Sequence, residues 1–274
     1  MLWLKIHSQP YTDILNGENI MKKLLVLIYG ITNYTLGSVT LVYLIAFLFN
    51  LYVPKSIDSG DPGNTLLAVT VNLGLITLFG LQHSIMARPA FKKYLSKLIP
   101  SAAERSTYML ATAIVTFTLC LCWQPLPGAI WQAENSVLYN ALLITGLSGW
   151  AIVFYATFLI NHFDLFGLRQ VWLFYTGKEY THLEFKLNAL YKYVRHPIMT
   201  GAFIGIWFTP VMTVGHLLFA TAMSLYILIG VYHEEKDLVS TFGNSYKKYI
   251  KTTAKFFPVA QKKTANSRSI STSV

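Results

Sequence analysis

TPVMTVGH, residues 209–216, interrupts an apolar run that extends from residue 198 to residue 232. The whole run is too long for one crossing, because a helix needs only about 20 residues to span the hydrocarbon core of a bilayer. Pro210 and Gly215 both disfavour the continuation of a helix. The interruption therefore predicts two short helices, at about 198–213 and 216–233, that fold back on each other as a hairpin.

Four more apolar runs of spanning length precede this hairpin, at about 25–52, 65–87, 107–124 and 137–160. Of the 274 residues, 54% are hydrophobic and only 12% are charged, a combination that is rare in soluble domains. The pattern predicts an all-α, polytopic integral membrane protein with about six transmembrane helices, a C-terminal helical hairpin and a cytosolic tail. No glycine-rich Rossmann fingerprint is present, so no Rossmann domain is expected.

The distribution of cations predicts the orientation of these helices. With the N-terminus in the cytosol, the loops placed outside contain one cation, Lys55, which leaves 21 of the 22 Lys and Arg on the inside. A single crossing at 198–232 would instead place the eight cations of the C-terminal tail outside. Six crossings with both ends in the cytosol are therefore expected. The net charge of +10 then reflects orientation and contact with anionic lipid rather than nucleic-acid binding.

The chain is predicted to form a single transmembrane domain over residues 1–258. Its N-terminal spans occupy about 25–160, and residues 161–258 form the part expected to bind a ligand. The Ser/Thr-rich end, residues 259–274, is predicted to be disordered. The first 20 residues contain acidic groups, and no small-residue cleavage site follows the first span, so no cleavable signal peptide is expected.

Two charged clusters are brought together if the hairpin forms. Arg195, His196 and Pro197 begin its first helix, and Glu234 and Glu235 end its second. Pro suits the first helical position, where its missing N–H costs nothing. The free N–H groups of that first turn, with Arg195 beside them, form an anion site. The two carboxylates opposite can hold a cation or accept hydrogen bonds from hydroxyl groups.

Two further features complete this candidate site. Gly201, one turn into the helix, would allow a ligand to approach closely, and Tyr246 and Tyr249 offer aromatic faces. A zwitterionic ligand with an aromatic ring and sugar hydroxyls would suit the site, and S-adenosylmethionine has these features, as do other metabolites. A simpler interpretation is that the cations mark the membrane interface and that the Glu and Lys side chains solvate it.

The C-terminal third resembles the isoprenylcysteine carboxyl methyltransferase-like superfamily of membrane methyltransferases. The resemblance rests on RHPIMTG at 195–201 and HEEKDLVSTFGNSYKKY at 233–249. It implies that S-adenosylmethionine binds between the last helices and the cytosolic tail. The superfamily pattern falls on Arg195, His196, Pro197, Gly201, Glu234, Glu235, Leu238, Phe242, Gly243, Tyr246 and Tyr249. Met199 stands where the superfamily usually has tyrosine, so a hydrogen bond from that hydroxyl is absent or supplied elsewhere.

Upstream blocks extend the resemblance to the NnrU-type branch and to methanethiol S-methyltransferases within it. These blocks are LQHSIMARPAFK (81–92), ERSTY (104–108), FLINHFDLFGLRQVW (158–172) and TPVMTVGHLLFA (209–220). The resemblance implies methylation of a small thiol to dimethyl sulfide in the bacterial cytoplasmic membrane. The alternatives left open are a prenylcysteine, lipid or other acceptor, and a non-enzymatic transporter or accessory protein of nitrogen-oxide metabolism.

Two histidines are candidates for the base that removes the thiol proton. His83 ends the second span and His162 ends the fourth, both on the side of the proposed ligand site, and ionisable groups at membrane depth are functional candidates. Either one alone could equally be an interfacial hydrogen-bonding residue. His216 lies at the far end of the hairpin, where we expect it to cap the sixth helix. No pair of histidines has the spacing of a helical zinc site, and no metal is expected.

Overall fold

The computed structural model describes residues 17–181 and 188–258, so the predicted disordered tail at 259–274 lies outside the described residues. The regular elements within these described residues are helices and one two-stranded ribbon. In chain order the elements are α1 Gly17–Leu48, α2 Thr65–Ala87, α3 Pro89–Leu95, α4 Glu104–Cys122, β1 Ala129–Gln132, α5 Ser136–Ile160, α6 His162–Leu165, α7 Leu168–Tyr175, α8 Pro197–Trp207, β2 Val211–Thr213, α9 Val214–Phe242 and α10 Asn244–Thr252; short 3₁₀ turns occupy Ser101–Ala103 and Ala189–Lys192.

Within residues 17–181 and 188–258, five helices are long and apolar enough to cross a bilayer, namely α1, α2, α4, α5 and α9. The all-α membrane fold predicted from the sequence is thus confirmed. The sixth predicted crossing differs, because α8 has 11 residues and a length of about 16 Å, roughly half of a 30 Å hydrocarbon core. It ends at Trp207 rather than near residue 213. Thr209 precedes Pro210, a position that disfavours helical backbone, and the following residues form β2.

The predicted chain reversal is built on the ribbon. Strand β1 pairs antiparallel with β2, with Trp131 opposite Met212 and a register irregularity between Ala129 and Trp131. The indole Nε1 of Trp131 donates to the carbonyl of Thr209 at 3.0 Å. These bonds satisfy backbone groups that would otherwise be unpaired beside the membrane, where an unpaired group costs several kcal/mol. The reversal therefore depends on β1, which sequence analysis did not predict.

The role expected for His216 is corrected by the structure. The helix cap of α9 is Thr213, whose hydroxyl accepts from the backbone N–H of His216 at 3.1 Å. The same hydroxyl donates to Asp58 Oδ1 at 2.5 Å, which ties the loop after α1 to the hairpin. The ring Nε2 of His216 instead bonds the carbonyl of Ile206 at 2.9 Å. This histidine thus links the end of α8 to the start of α9.

Counting the short α8, successive membrane helices run in opposite directions, so the bundle has two ends. The charged end is defined here by Arg88, Arg105, Arg195 and Glu235, and the ribbon end is defined by β1 and β2. Helix α9 continues past the predicted position 233 to Phe242, so Glu235 lies on the helix itself. The main apolar core lies towards the ribbon end, where buried Phe47 and Trp123 pack with Phe219 and their neighbours.

Glycines allow α5 and α8 to approach backbone to backbone. A Cβ atom added at Gly149 would lie 2.5 Å from the amide nitrogen of Gly205 and 2.6 Å from the carbonyl oxygen of Gly201. A Cβ at Gly201 would meet the Gly149 carbonyl oxygen at 2.5 Å. Small residues at helix contacts are typical of membrane bundles, because lipid gives no hydrophobic drive for association and close contact supplies the energy. The short α8 is held in place by this contact.

Replacing Gly149 by alanine tests this contact. We expect Gly149→Ala to destabilise the protein by about 1–3 kcal/mol, because the methyl group has no room against the α8 backbone. Gly74→Ala on α2 is the matched control, since nothing lies within 4 Å of its Cβ position, and it should be neutral or slightly stabilising. The measurement is the melting midpoint of detergent-purified protein. Equal midpoints for the two variants would contradict the close crossing.

Candidate active site

Glu235 is the centre of a charged cluster that joins α8, α9 and the segment after α10. Its Oε1 accepts from the Nε of Arg195 at 2.8 Å and from the Nε2 of His196 at 3.1 Å. Its Oε2 lies 3.1 Å from the ammonium group of Lys255. Arg195 and His196 are 8% and 6% exposed, so these contacts are largely removed from water. One carboxylate thus organises three basic side chains, and the predicted meeting of Arg195 with Glu235 is confirmed.

The backbone around Arg195 is held by the chain that follows α10. The amide N–H of Arg195 donates to the carbonyl of Ala254 at 2.8 Å, and that of His196 donates to the carbonyl of Lys255 at 3.1 Å. The guanidinium Nη1 also donates to the carbonyl oxygens of Ile250, at 3.1 Å, and of Thr253. Charge-assisted bonds of this kind fix geometry better than neutral ones. The start of α8 is therefore preorganised by a strap, defined here as residues 253–257.

His196 lies between two carboxylates. Its Nδ1 is 3.6 Å from Glu234 Oε2, while its Nε2 contacts Glu235. The ring of Phe256 in the strap is 6.1 Å from the His196 ring, and the Thr200 hydroxyl donates to the Phe256 carbonyl at 2.5 Å. The side chain of Glu234 is 26% exposed against 14% for Glu235, so Glu234 is the carboxylate more accessible to a ligand.

The first turn of α8 has the form expected of an anion site. Pro197 occupies the first helical position, and the first intrahelical bond runs from the N–H of Thr200 to the carbonyl of His196. The N–H groups of Ile198 and Met199 precede that bond and point along the helix axis beside Arg195. Gly201, by contrast, faces α5 through its contact with Gly149, so its predicted place in a ligand site stays a prediction.

The two tyrosines of α10 are buried beside the cluster. Tyr246 is 2% and Tyr249 is 6% exposed, and the Tyr249 hydroxyl donates to the carbonyl of Tyr191 at 2.5 Å. Burial raises the pKa of Tyr249 to about 12, and burial together with the nearby Glu235 raises the pKa of Tyr246. Both phenols therefore stay neutral at physiological pH. Their contacts stabilise the segment that leads into Arg195.

His162 is fixed by hydrogen bonds at both ring nitrogens. The Thr157 hydroxyl donates to the carbonyl of Phe154 at 2.7 Å, so it accepts from the His162 Nδ1–H at 2.8 Å. Nε2 is then the acceptor, and the Tyr34 hydroxyl donates to it at 2.8 Å. The ring stacks on Phe158 with centroids 4.2 Å apart, and burial lowers the pKa of His162. A thiol could reach Nε2 only by displacing Tyr34.

His83 lies in a separate aromatic cluster at the contact of α2, α4 and α9. Its ring stacks on Phe79 at 5.4 Å and lies 5.0 Å from Tyr108 and 6.4 Å from Tyr226. Its Nδ1 is buried without a hydrogen-bond partner among the described residues. Tyr226 precedes Glu235 by nine residues, which is two and a half helical turns, so the two side chains leave α9 on opposite faces. The structure does not bring His83 together with the charged cluster.

A second buried network at the charged end escaped sequence analysis. Asp164 accepts from Arg105 at 2.7 Å and from Arg169 at 2.8 Å, and Tyr180 donates to it at 3.3 Å. The network connects α4 to the loop after α5 and so orders the segment that carries His162. Lys255 and Phe256 of the strap were also missed, because one lysine among several tail cations has no distinguishing spacing.

Known proteins that share one name are similar to this chain over most of its length. The chain is 42% identical over 247 residues to methanethiol S-methyltransferase of Crocosphaera subtropica, covering 90% of this chain and 97% of that one. It is 44% identical over 242 residues to methanethiol S-methyltransferase 1 of Bradyrhizobium diazoefficiens, covering 88% and 85%. A more distant similarity, 30% over 169 residues and 58% of each chain, is to nurim of Xenopus laevis. No family model matches the chain, and no solved structure matches it.

The buried Asp164 network should be far more important for stability than an exposed ion pair. We expect Asp164→Asn to cost about 3–5 kcal/mol, because it leaves two arginines near a neutral group in a buried setting. The control is Asp237→Asn, which removes the 3.5 Å pair with Arg88, whose side chains are 48% and 37% exposed; it should cost under about 1 kcal/mol. Melting midpoints of the two variants in the same detergent test this, and a mild effect of Asp164→Asn would contradict it.

Proposed function

This chain belongs to the methanethiol S-methyltransferase family, and on that premise we propose that it methylates methanethiol with S-adenosylmethionine as the methyl donor. The product would be dimethyl sulfide. The single observation that carries the site assignment is the cluster of Arg195, His196 and Glu235 at the start of α8. It lies at the point where a buried basic pair, two carboxylates and the free N–H groups of a helix meet.

The residues of the cluster fit the charges of the proposed donor. S-adenosylmethionine has a carboxylate, an ammonium group, a sulfonium group and ribose hydroxyls. The first turn of α8 beside Arg195 would hold the carboxylate. Glu234, the more exposed acidic side chain, would accept from the ammonium group or the hydroxyls. When bound, the donor supplies an electrophilic methyl group.

Glu235 has a different role, which is to position its neighbours. Its two oxygens already accept from Arg195, His196 and Lys255, so it has little remaining capacity for a ligand. It fixes the Arg195 guanidinium group near the start of α8 before the donor arrives. Such preorganisation lowers the cost of binding, because fewer groups must be ordered when the ligand binds.

An apolar surrounding favours the reaction itself. A thiolate that attacks a sulfonium methyl group cancels two opposite charges, so the transition state is less charged than the separated ions. Methanethiol is small and apolar and can dissolve in lipid, and the outward faces of the bundle, such as Leu25 and Val137, are apolar and exposed. The main contribution of the protein is alignment of the thiol sulfur with the methyl group.

The base stays a prediction for His162 or His83. The tautomer of His162 fixed by Thr157 leaves the Nε2 lone pair as acceptor for the Tyr34 hydroxyl, so His162 could act as a base once a thiol displaces Tyr34. His83 has a ring nitrogen without a hydrogen-bond partner in the part of the chain that the structure describes, but it packs against Tyr226, on the face of α9 opposite Glu235. We further propose that the charged end and both chain termini lie in the cytosol of a bacterium, as the positive-inside distribution of Lys and Arg indicates.

A labelled-donor experiment tests the activity directly. Membranes that contain the protein are incubated with methyl-labelled S-adenosylmethionine and methanethiol, and the headspace gas is trapped. Labelled dimethyl sulfide is the expected product. Label in lipid or protein would indicate another acceptor, and absence of both transfer and donor binding would indicate a non-enzymatic protein.

Glu235→Gln should weaken donor binding by about 10- to 100-fold, because a neutral amide cannot hold three basic groups in place. Equilibrium binding of labelled donor to the monodisperse, folded fraction is the measurement. The control is Glu134→Gln, which removes an exposed carboxylate at the ribbon end and should bind as the parent does. Unchanged affinity in Glu235→Gln would remove the cluster from the donor site.

His162→Ala should lower kcat/KM most strongly at low pH, where little thiolate forms without a base. Since burial lowers the pKa of His162, the parent protein should lose activity only as pH falls below the usual histidine value of about 6.5. In the variant this low-pH limb should change while the donor dissociation constant stays the same. A pH profile with the same shape in both proteins would show that the thiol ionises without His162.

A further inference from the structure

An apolar groove opens beside the charged cluster, where α8, α9 and the strap meet. Its volume is about 400 Å³, and Phe203 and Trp207 of α8, Leu228 of α9 and Phe256 of the strap contribute to its walls. Pockets of about 300–1,000 Å³ bind drug-sized ligands. Methanethiol has only two heavy atoms, so the groove is much larger than that substrate needs.

The groove ends next to the charged cluster. Leu228 precedes Glu235 by seven residues, nearly two full turns, so both side chains lie on the same face of α9 with Leu228 deeper in the membrane. Phe256 joins the two regions, because its ring lies 5.2 Å from the Phe203 ring and 6.1 Å from the His196 ring. A molecule in the groove therefore has one end against Phe256, the residue that also contacts His196, and the other end among apolar side chains.

We propose that this groove binds the hydrocarbon chain of apolar thiols larger than methanethiol, such as linear alkanethiols, so that their sulfur reaches the charged cluster. This inference rests on the proposed function. In the transfer, the thiol sulfur forms a bond to the methyl carbon while the bond from that carbon to the donor sulfur breaks. The bonding electron pair stays on the donor sulfur, the thiol proton passes to water, and the product is a methyl alkyl thioether.

The chemistry of the walls supports a hydrocarbon occupant. The described lining residues are aromatic or aliphatic, and the one indole N–H among them, that of Trp207, already donates to the Ser224 hydroxyl at 2.9 Å. A polar acceptor would therefore find no free partner along this wall. The groove follows the last part of α8, from Phe203 to Trp207, and its volume of about 400 Å³ leaves room for a chain of several methylene groups.

A matched pair of substitutions on α9 tests the proposal. Leu228→Trp fills the groove, while Leu225→Trp places the same side chain on the exposed surface one turn earlier; these leucines are 47% and 57% exposed. Both variants and the parent are reconstituted in nanodiscs of one lipid, so that partition of each thiol into the bilayer is identical. Methylation is measured for methanethiol, propanethiol and hexanethiol.

We expect the parent and Leu225→Trp to methylate hexanethiol, and Leu228→Trp to lose about tenfold or more in kcat/KM for it while changing methanethiol turnover less than about twofold. Without any methyl donor, hexyl methyl thioether should raise the melting midpoint of the parent and of Leu225→Trp but not of Leu228→Trp. Ile204→Trp, on the opposite wall, replaces Leu228→Trp if that variant does not fold.

Three results would overturn the proposal. One is methylation of methanethiol without methylation of hexanethiol by the parent, which leaves the proposed function intact. Another is equal hexanethiol activity in the two tryptophan variants, which would show that the groove holds only lipid chains. Failure to methylate any thiol would overturn the proposed function and this inference together.

Discussion

The ion pair between Arg195 and Glu235 is the interaction on which the site depends. It connects Arg195, two residues before α8, to the last turns of α9, and so it requires the chain to reverse direction between these helices. A charge pair with little exposure to water is costly unless its remaining hydrogen bonds are satisfied. The strap meets this requirement, since its carbonyl groups accept from the Arg195 guanidinium and Lys255 adds a second cation to Glu235.

The two halves of the hairpin are stabilised differently at their two ends. At the ribbon end, backbone pairing of β1 with β2 and the bond from His216 to Ile206 satisfy polar groups near the membrane. At the charged end, ion pairs between side chains satisfy the polar groups instead. Between them α8 is too short to cross by itself and relies on the glycine contact with α5. The position of the Arg195 guanidinium is thus determined by helix packing as much as by its own ion pair.

The charged cluster and the apolar groove lie next to each other, and this arrangement suits the proposed chemistry. The donor has several charged groups and needs the cluster, whereas a thiol has none before it ionises and needs only an apolar cavity. Phe256 forms the boundary between the two regions, because it lines the groove and lies against His196. A site divided in this way fits the proposal that two very different molecules bind with their sulfur atoms directed to the same place. Neither histidine predicted as the base lies in the cluster. The cluster therefore places neither of them beside the thiol to accept its proton.

The membrane fold, the reversal near Pro210 and the meeting of Arg195 with Glu235 could be predicted from the amino-acid sequence, because apolar run length, proline chemistry and charge asymmetry are local properties that a bilayer converts directly into topology. The length of α8, the dependence of the reversal on β1, the contact of Gly201 with α5 and the recruitment of Lys255 and Phe256 became visible in the folded chain alone. These features depend on which surfaces meet, and residues far apart in the chain carry no periodic signal of that meeting. For the same reason the groove between α8 and α9 is visible in the fold and not in the sequence.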